Sequence, residues 1–164
     1  ARTKTEGYKP PAYWDWIARI KEVVDIPVIA NGEIWTPAQA QQCMQESGSD
    51  LIMIGRGLVS VPDLAMQIKA AHGLVEHTPH SWQQKLELFL QLVPKLTDLR
   101  DKSLTDRLKQ WLHYFNLHSP EIAAIFEAVK RERDRDSFLG RIRELSAEMS
   151  APPPTATSIQ GEHR

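Results

Sequence analysis

The sequence predicts an α/β fold: the C-terminal portion of a (β/α)8 TIM barrel, followed by an all-α helical bundle domain. Residues 26–30 and 51–54 are apolar, β-branched runs that end in glycine-bearing polar turns, and a helical stretch separates them. After Gly73 the apolar residues recur at helical spacing, with no strand pattern. A complete barrel needs about 200–250 residues and cannot fit in 164 residues beside that helical region.

The predicted elements of the first part alternate, in the order helix 14–24, strand 26–30, helix 36–47, strand 51–54 and helix 61–71. Thr36 followed by Pro37 is an N-cap with proline at the first helical position, and Gly48 is expected to end that helix. Short connections between alternating helices and strands are typical of βαβ units. We therefore expect two neighbouring parallel strands.

Four amphipathic helices are predicted in the second part. Pro94 lies inside the first of them and is expected to kink or break it. The domain boundaries that follow are residues 1–72 for the barrel segment, 73–150 for the helical domain and 151–164 for a disordered, proline-rich tail. The apolar stripes of the four helices are Trp82, Leu86, Phe89, Leu90 and Val93; Leu104, Leu108, Trp111 and Phe115; Ile122, Ile125, Phe126 and Val129; and Phe138, Ile142, Leu145 and Met149.

Composition and charge exclude several classes of protein. The net charge of −1 gives no global signal for nucleic-acid binding, and no stretch approaches the ~18 apolar residues of a membrane span. The single cysteine, Cys43, excludes an intramolecular disulfide, and a chain without disulfides is typical of a reducing compartment such as the cytoplasm. We expect Cys43 to be a buried structural thiol. The six histidines show no metal-ligand spacing with Cys or carboxylates, so no metal is predicted.

Two loops at the predicted strand ends carry the clearest chemical signal. Asn31-Gly-Glu33 follows the first strand, and Gly55-Arg-Gly57 follows the second. Glycines, backbone N–H groups and a guanidinium suit a phosphate dianion, and in barrels the phosphate site typically follows strands seven and eight. The alternatives are an ordinary βα turn and a tight turn with a solvated arginine. Two such loops on adjacent strands favour a shared phosphate site.

One helix of the second part has a candidate nucleic-acid surface. Arg107 and Tyr114 lie along one edge of its apolar stripe, where a cation and an aromatic ring could hold a phosphate and a base. Lys109 lies on a different side of the helix, so it contributes to that surface only if its long side chain bends or the partner wraps around the helix. Tyr8, in a Gly- and Pro-rich loop, could stack a base. The alternative for all of them is an ordinary surface.

Residues 1 to about 70 closely resemble the C-terminal barrel segment of the bacterial tRNA-dihydrouridine synthases. The motifs that carry the resemblance are RTK with a nearby tyrosine, IPVIANGEI and MIGRG, and RLKQWLHY resembles the helical domain of the C subfamily. The resemblance implies an FMN enzyme, cytoplasmic and monomeric at full length, that uses NADPH to reduce uridine to dihydrouridine in tRNA. Uridine 16 of the D-loop is the position associated with that subfamily.

The resemblance also assigns residues. It places Asn31, Gly32 and Glu33 in the FMN-contacting loop after the seventh strand, and Gly55 and Arg56 in the phosphate loop after the eighth. It matches Tyr8, Arg107, Lys109, Tyr114 and Lys130 to positions associated with tRNA contact.

The family's catalytic cysteine, its flavin-contacting lysine and histidine and the first half of its barrel have no counterpart here, and Cys43 does not match the catalytic position. We therefore expect a C-terminal fragment that is inactive alone. Two alternatives stay open. One is another FMN- or phosphate-binding TIM-barrel oxidoreductase with a small-molecule substrate, and the other is a non-catalytic tRNA-binding fragment.

Overall fold

The structure is a computed structural model that describes residues 5, 7, 10–96 and 101–150, without the side chains of residues 101 and 102. Tyr8 and the predicted tail, residues 151–164, lie outside the described residues. The described part is mostly helical and contains one two-stranded parallel sheet. The prediction of an α/β segment followed by helices agrees with this element order.

The sheet consists of β1 (Ile29–Asn31) and β2 (Leu51–Met53), joined through helix α2 (Pro37–Ser47). The register pairs Ile29 with Leu51, Ala30 with Ile52 and Asn31 with Met53. β1 begins three residues later than predicted, beyond Pro27, which has no N–H to donate to a ladder.

The first part of the chain packs around α2. Helix α1 (Asp15–Lys21) lies against it, and buried residues of α1, β1, α2 and the segment after β2 form one core. The predicted helix signals are confirmed: the Thr36 hydroxyl accepts a 3.2 Å hydrogen bond from the Gln39 N–H, and Gly48 ends the helix with φ +61°. The core residues are Trp14, Ile17, Ala30, Ile34, Ala40, Cys43, Val61, Leu64 and Ile68.

The segment after β2 differs from the prediction. A helix was expected to begin at residue 61, but a five-residue helix, α3 (Arg56–Ser60), begins directly after Gly55, and α4 (Leu64–Ala71) follows. Two glycines in three residues favour a loop by propensity, but tertiary packing outweighs propensity in so short a helix. The consequence is that Arg56 lies in the first turn of a helix.

The second part contains α5 (Trp82–Leu92), a 3₁₀ turn (Val93–Lys95), α6 (Asp101–Asn116), α7 (Pro120–Val129) and α8 (Arg135–Ser150). The predicted break at Pro94 is confirmed, since it lies in the 3₁₀ turn. All four helices contribute to one core, formed by Leu86, Phe89, Leu104, Leu108, Leu112, Phe115, Ile122, Ile125, Val129, Phe138, Leu139 and Ile142.

Several residues of the predicted stripes, Trp111 and Met149 among them, are not fully buried in this core. Leu112 is fully buried on α6 and Trp111 only partly, because Leu104, Leu108 and Leu112 recur at four-residue intervals along the centre of the buried face. Met149, near the end of α8, is 41% exposed. None of the helices among the described residues has the length and apolar character to cross a membrane.

The two parts of the chain meet where α3 packs on α6. The Ser60 hydroxyl donates a 2.5 Å hydrogen bond to the carbonyl oxygen of Tyr114, and Val59 packs against the core of the helical part. Ser60 is buried, so this contact is part of the packed interior. It fixes the position of α6 relative to the loop after β2.

Candidate functional site

The loops after β1 and β2 leave the same edge of the sheet. Asn31 and Met53 form the last pair of the register, so the residues that follow both strands emerge side by side. The Arg56 guanidinium Nη2 lies 2.9 Å from Glu33 Oε1, which joins the two loops by a charged hydrogen bond. The proximity of the two loops, predicted from sequence, is therefore confirmed.

The turn after β1 has an unusual backbone. Gly32 has φ +111°, and Glu33 has φ +52°, a conformation that non-glycine residues rarely adopt. The Gly32 carbonyl accepts a 2.9 Å hydrogen bond from the indole N–H of Trp14, and a Cβ at Gly32 would lie 2.8 Å from Ala12 Cβ. Packing against α1 and the preceding segment therefore fixes the direction in which the Glu33 side chain leaves the turn. Strained positions of this kind cluster at functional sites.

Trp35 is a site residue that the sequence reasoning missed. Its indole N–H donates a 3.0 Å hydrogen bond to Glu33 Oε2, so the two carboxylate oxygens are held by Trp35 and Arg56. The Arg56 guanidinium carbon also lies 5.4 Å from the centre of the Trp35 ring, within cation–π range. The sequence feature that could have identified Trp35 is its position, two residues after Glu33.

Gly57 brings the N-terminus of α3 against the turn after β1. A Cβ at this position would lie 2.1 Å from the Ile34 carbonyl oxygen and 3.1 Å from the Ile54 side chain. A Cβ at Gly55 would meet nothing within 4 Å. Gly57 is therefore required by packing, and it places Gly55 and Arg56 beside Glu33.

The arrangement leaves Arg56 able to bind an anion. Its side chain is 43% exposed, against 20% for Glu33, and a guanidinium has further N–H donors beyond the one that contacts the carboxylate. Glu33 and the Trp35 ring limit the orientations of the guanidinium, which lowers the entropy cost of binding. Carboxylate and phosphate groups are the anions that this planar set of donors matches.

A cavity of about 550 Å³ lies near this cluster but does not coincide with it. Glu33 and Trp35 belong to its walls, whereas Asn31 and Arg56 do not. The remaining walls come from the segment before α1 and from α2: Pro10, Pro11, Ala12, Tyr13, Trp14, Asp15, Gln39, Gln42 and Glu46. Because its charged residues are acidic, we do not assign the phosphate to this cavity.

The predicted tRNA-contacting residues of the second part lie on two helices. Arg107 is exposed on α6 and donates a 2.9 Å hydrogen bond to Gln110 Oε1. The Lys109 ammonium donates to the Glu132 carbonyl oxygen, beyond the end of α7. Lys130 is the C-cap of α7, and its Nζ lies 2.5 Å from Glu127 Oε2. Lys109 thus reaches the backbone two residues beyond Lys130 in sequence.

Tyr114 and His118 lie where the two parts meet. The Tyr114 backbone accepts the hydrogen bond from Ser60, and its ring lies 6.0 Å from that of His113. The His118 ring, just after α6, lies 5.8 Å from the Trp35 ring. Because Trp35 contacts both Glu33 and Arg56, the C-terminal end of α6 adjoins the loop cluster.

Cys43 is a free thiol with no exposed surface, inside the core between α2 and its neighbours. Burial raises the pKa of its thiol, which keeps it protonated and unreactive at neutral pH. The predicted burial of Cys43 is confirmed.

A comparison with protein families gives a match to the dihydrouridine synthase (Dus) family over residues 1–145. The chain belongs to the dihydrouridine synthase family. Members of this family are TIM-barrel enzymes and are generally flavin-dependent. The resemblance inferred from the sequence motifs is therefore confirmed.

Curated relatives in the family carry a more specific name. The chain is similar to two proteins named tRNA-dihydrouridine(16) synthase. The protein from Pseudomonas putida is 45% identical to it over 135 residues, and the protein from Pseudomonas syringae pv. tomato is 48% identical over 139 residues. These alignments cover 82% and 83% of this chain, but only 42% and 43% of the relatives. A protein of the same name from Ralstonia nicotianae is 40% identical over 159 residues, which is 93% of this chain and 48% of the relative. The chain thus spans less than half the length of these dihydrouridine synthases.

Proposed function

We propose that this chain is part of a tRNA-dihydrouridine synthase that reduces uridine 16 of the tRNA D-loop to dihydrouridine. The observation that carries the proposal is the Arg56–Glu33 contact, which joins the loops after two adjacent parallel strands. Such a pair of loops is where TIM-barrel enzymes typically bind a phosphate. The names of the relatives supply the position of the uridine.

β1 and β2 would be two neighbouring strands of a (β/α)8 barrel, within a domain that includes residues 1–72. One face of the sheet carries Ala30, buried against α2, whereas Ile29, Leu51 and Met53 on the other face are more than half exposed. Barrel strands alternate in this way between the surrounding helices and the barrel interior. Asn31 shares the exposed face with Met53, which would direct it to the mouth of the barrel.

The donor set of the two loops fits the phosphate of FMN. Asn31, Gly32, Glu33, Gly55 and Arg56 would hold the cofactor, with Arg56 as the charged donor to the phosphate. Once bound, FMN would supply the reducing equivalents for the uracil double bond, with NADPH as the reductant. Glu33 would orient Arg56 rather than contact the dianion directly, because two negative charges at that distance would repel each other.

Cys43 is excluded as the group that protonates the uracil ring, because its thiol is buried and its pKa is raised. The sequence contains no other cysteine. The proton would therefore come from a residue outside this chain or from a different type of side chain. The contribution of this chain would be to bind the cofactor phosphate and the RNA.

Residues 73–150 would form the tRNA-binding domain, with Arg107, Lys109, Tyr114 and Lys130 as contacts and Tyr8 as a further one. A uracil inside a folded RNA loop must be extruded to reach a flavin, which requires a firm grip on the rest of the tRNA. The contact between His118 and Trp35 supports this arrangement, because it brings the end of α6 to the loop cluster. tRNA as the substrate would also place the protein in the cytoplasm.

The experiment that tests the proposed function is to map dihydrouridine in tRNA from a strain that lacks the complete gene. Mass spectrometry of tRNA fragments should show unmodified uridine at position 16 and unchanged dihydrouridine elsewhere. Reintroduction of the wild-type gene should restore the modification. Unchanged dihydrouridine at position 16 in the deletion strain would refute the proposal.

A further inference from the structure

A cluster of metal-ligand side chains lies outside the candidate FMN site, on the segment that connects the two parts of the chain. Asp63 precedes the first turn of α4, and His77 and His80 lie in the segment between α4 and α5. In sequence the histidines are 14 and 17 residues from Asp63, which is why spacing alone predicted no metal. Gly73, with φ +68°, reverses the chain after α4 and returns the histidines to Asp63.

One oxygen of the Asp63 carboxylate is fully engaged. Oδ2 accepts hydrogen bonds from Gln67 Nε2 at 3.0 Å and from the His80 backbone N–H at 3.0 Å, and it lies 2.8 Å from His77 Nε2. These hydrogen bonds outweigh the effect of burial, which would raise the pKa of Asp63, and lower that pKa to about 2.

The other oxygen has no partner. Among the described residues, neither Asp63 Oδ1 nor His80 Nδ1 has a hydrogen-bond partner, although both atoms are buried. The Asp63 side chain is only 2% exposed, and an unsatisfied buried carboxylate oxygen is unfavourable. The two atoms are 3.9 Å apart, which is too far for a hydrogen bond between them.

The separation is close to that of two ligands of one ion. With tetrahedral bonds of about 2.0–2.2 Å to nitrogen and oxygen, two ligands of Zn²⁺ lie about 3.4 Å apart, so the two atoms would have to approach by about 0.5 Å from their 3.9 Å separation to share an ion. Ligand atoms of Asp63, His77 and His80 all lie within 4.8 Å of one another. The His80 side chain as a whole is 31% exposed, so the cluster lies close to the protein surface.

We propose that Asp63, His77 and His80 form a binding site for a divalent transition metal, with Zn²⁺ as the best match to two imidazoles and one carboxylate. On binding, His77 would exchange its 2.8 Å contact with Asp63 Oδ2 for the ion, whereas Asp63 Oδ1 and His80 Nδ1 are already without partners among the described residues. The bound ion would fasten the connecting segment to the start of α4, three residues from the Ser60 contact with α6. Its role would be structural, since the site lies apart from the Glu33–Arg56 cluster. The proposal does not depend on the proposed enzymatic function.

The experiment compares Zn²⁺ binding by the chelator-treated wild-type protein, His80→Ala and His72→Ala, using calorimetric titration with ZnCl₂ and the visible absorption of added Co²⁺. His80→Ala is the sharpest variant, because the backbone N–H of residue 80 still bonds to Asp63 Oδ2. His72 is an exposed histidine at the C-cap of α4 and serves as the matched control. Wild type and His72→Ala should each bind one equivalent of Zn²⁺. The melting temperature of both proteins should be higher with Zn²⁺ than without it.

Loss of a supporting partner of a metal ligand typically weakens metal binding about 10–100-fold, so loss of a ligand in His80→Ala should cost at least about 100-fold. Nuclear magnetic resonance of the wild-type imidazoles adds a readout that needs no variant: Zn²⁺ should shift the signals of His77 and His80 but not of His72. No saturable uptake by the wild-type protein, equal uptake by His80→Ala, or unshifted His77 and His80 signals would each overturn the proposal.

Discussion

Gly57 packs so closely against Ile34 that a methyl group on its Cα would lie 2.1 Å from the Ile34 carbonyl oxygen. The contact joins the first turn of α3, which follows β2, to the turn after β1. It sets the separation between Arg56 and Glu33, which form the ion pair at the candidate site. A backbone-to-backbone approach of this kind can be made only by glycine.

Gly57→Ala should therefore destabilise the protein by at least about 2 kcal/mol, because backbone cannot yield to the added methyl group as a flexible side chain would. Denaturation by urea with far-UV circular dichroism measures the change. Gly140→Ala in α8 is the matched control: a Cβ there meets nothing within 4 Å, and alanine should stabilise that helix by up to about 1 kcal/mol. Equal stability of Gly57→Ala and wild type would contradict the packing described here.

Cys43 should react with iodoacetamide at least about 100-fold more slowly in the native protein than in urea. The thiol has no exposed surface and burial raises its pKa, so reaction requires opening of the core. The folded state keeps this proton to higher pH than the unfolded state, so the contribution of Cys43 to stability declines as the pH rises above the pKa of the thiol in the unfolded chain. Mass spectrometry of alkylated protein over time tests the prediction, and rapid labelling of native protein at pH 7 would show that Cys43 is accessible.

In the full-length enzyme, the double variant Arg107→Ala, Tyr114→Ala should raise KM for tRNA about 10- to 100-fold, since it removes a phosphate contact and a stacking surface. Loss of one phosphate contact should also reduce the salt slope of binding by about 1. Arg141→Ala on α8, where Arg141 is 44% exposed and paired with Glu144, is the control. An unchanged KM in the double variant would show that this edge of α6 does not contact the tRNA.

Local signals predicted much of the fold. Helix boundaries at Thr36, Gly48 and Pro94 follow from capping and from the missing proline N–H, which act within a few residues. The apolar stripes located the helices of the second part, since one face of each must be buried. α3 was missed because a five-residue helix depends on contacts with α6 and with the turn at Ile34 rather than on its own sequence.

The candidate site was predicted only in part, for a related reason. Asn31, Glu33 and Arg56 are recognisable because each lies at or just after the end of a strand, and the ends of adjacent parallel strands must meet. Trp35 and His118 come from distant segments, 83 residues apart in sequence, and their contact depends on how the two parts pack. The same holds for Asp63 and its two histidines, which only the turn at Gly73 brings together.

The most direct measurement is the FMN content of the purified full-length enzyme with Arg56→Ala, compared with wild type and with Arg19→Ala. Arg19 is a close control, because it also lies over a tryptophan ring, Trp16 at 4.8 Å, and pairs with a carboxylate, Asp15 at 3.6 Å. Charged hydrogen bonds contribute about 1.5–3 kcal/mol each, so Arg56→Ala should bind FMN about 10- to 100-fold more weakly and lose flavin during purification. Full flavin occupancy in Arg56→Ala, equal to that of Arg19→Ala, would contradict a phosphate site shared by the loops after β1 and β2.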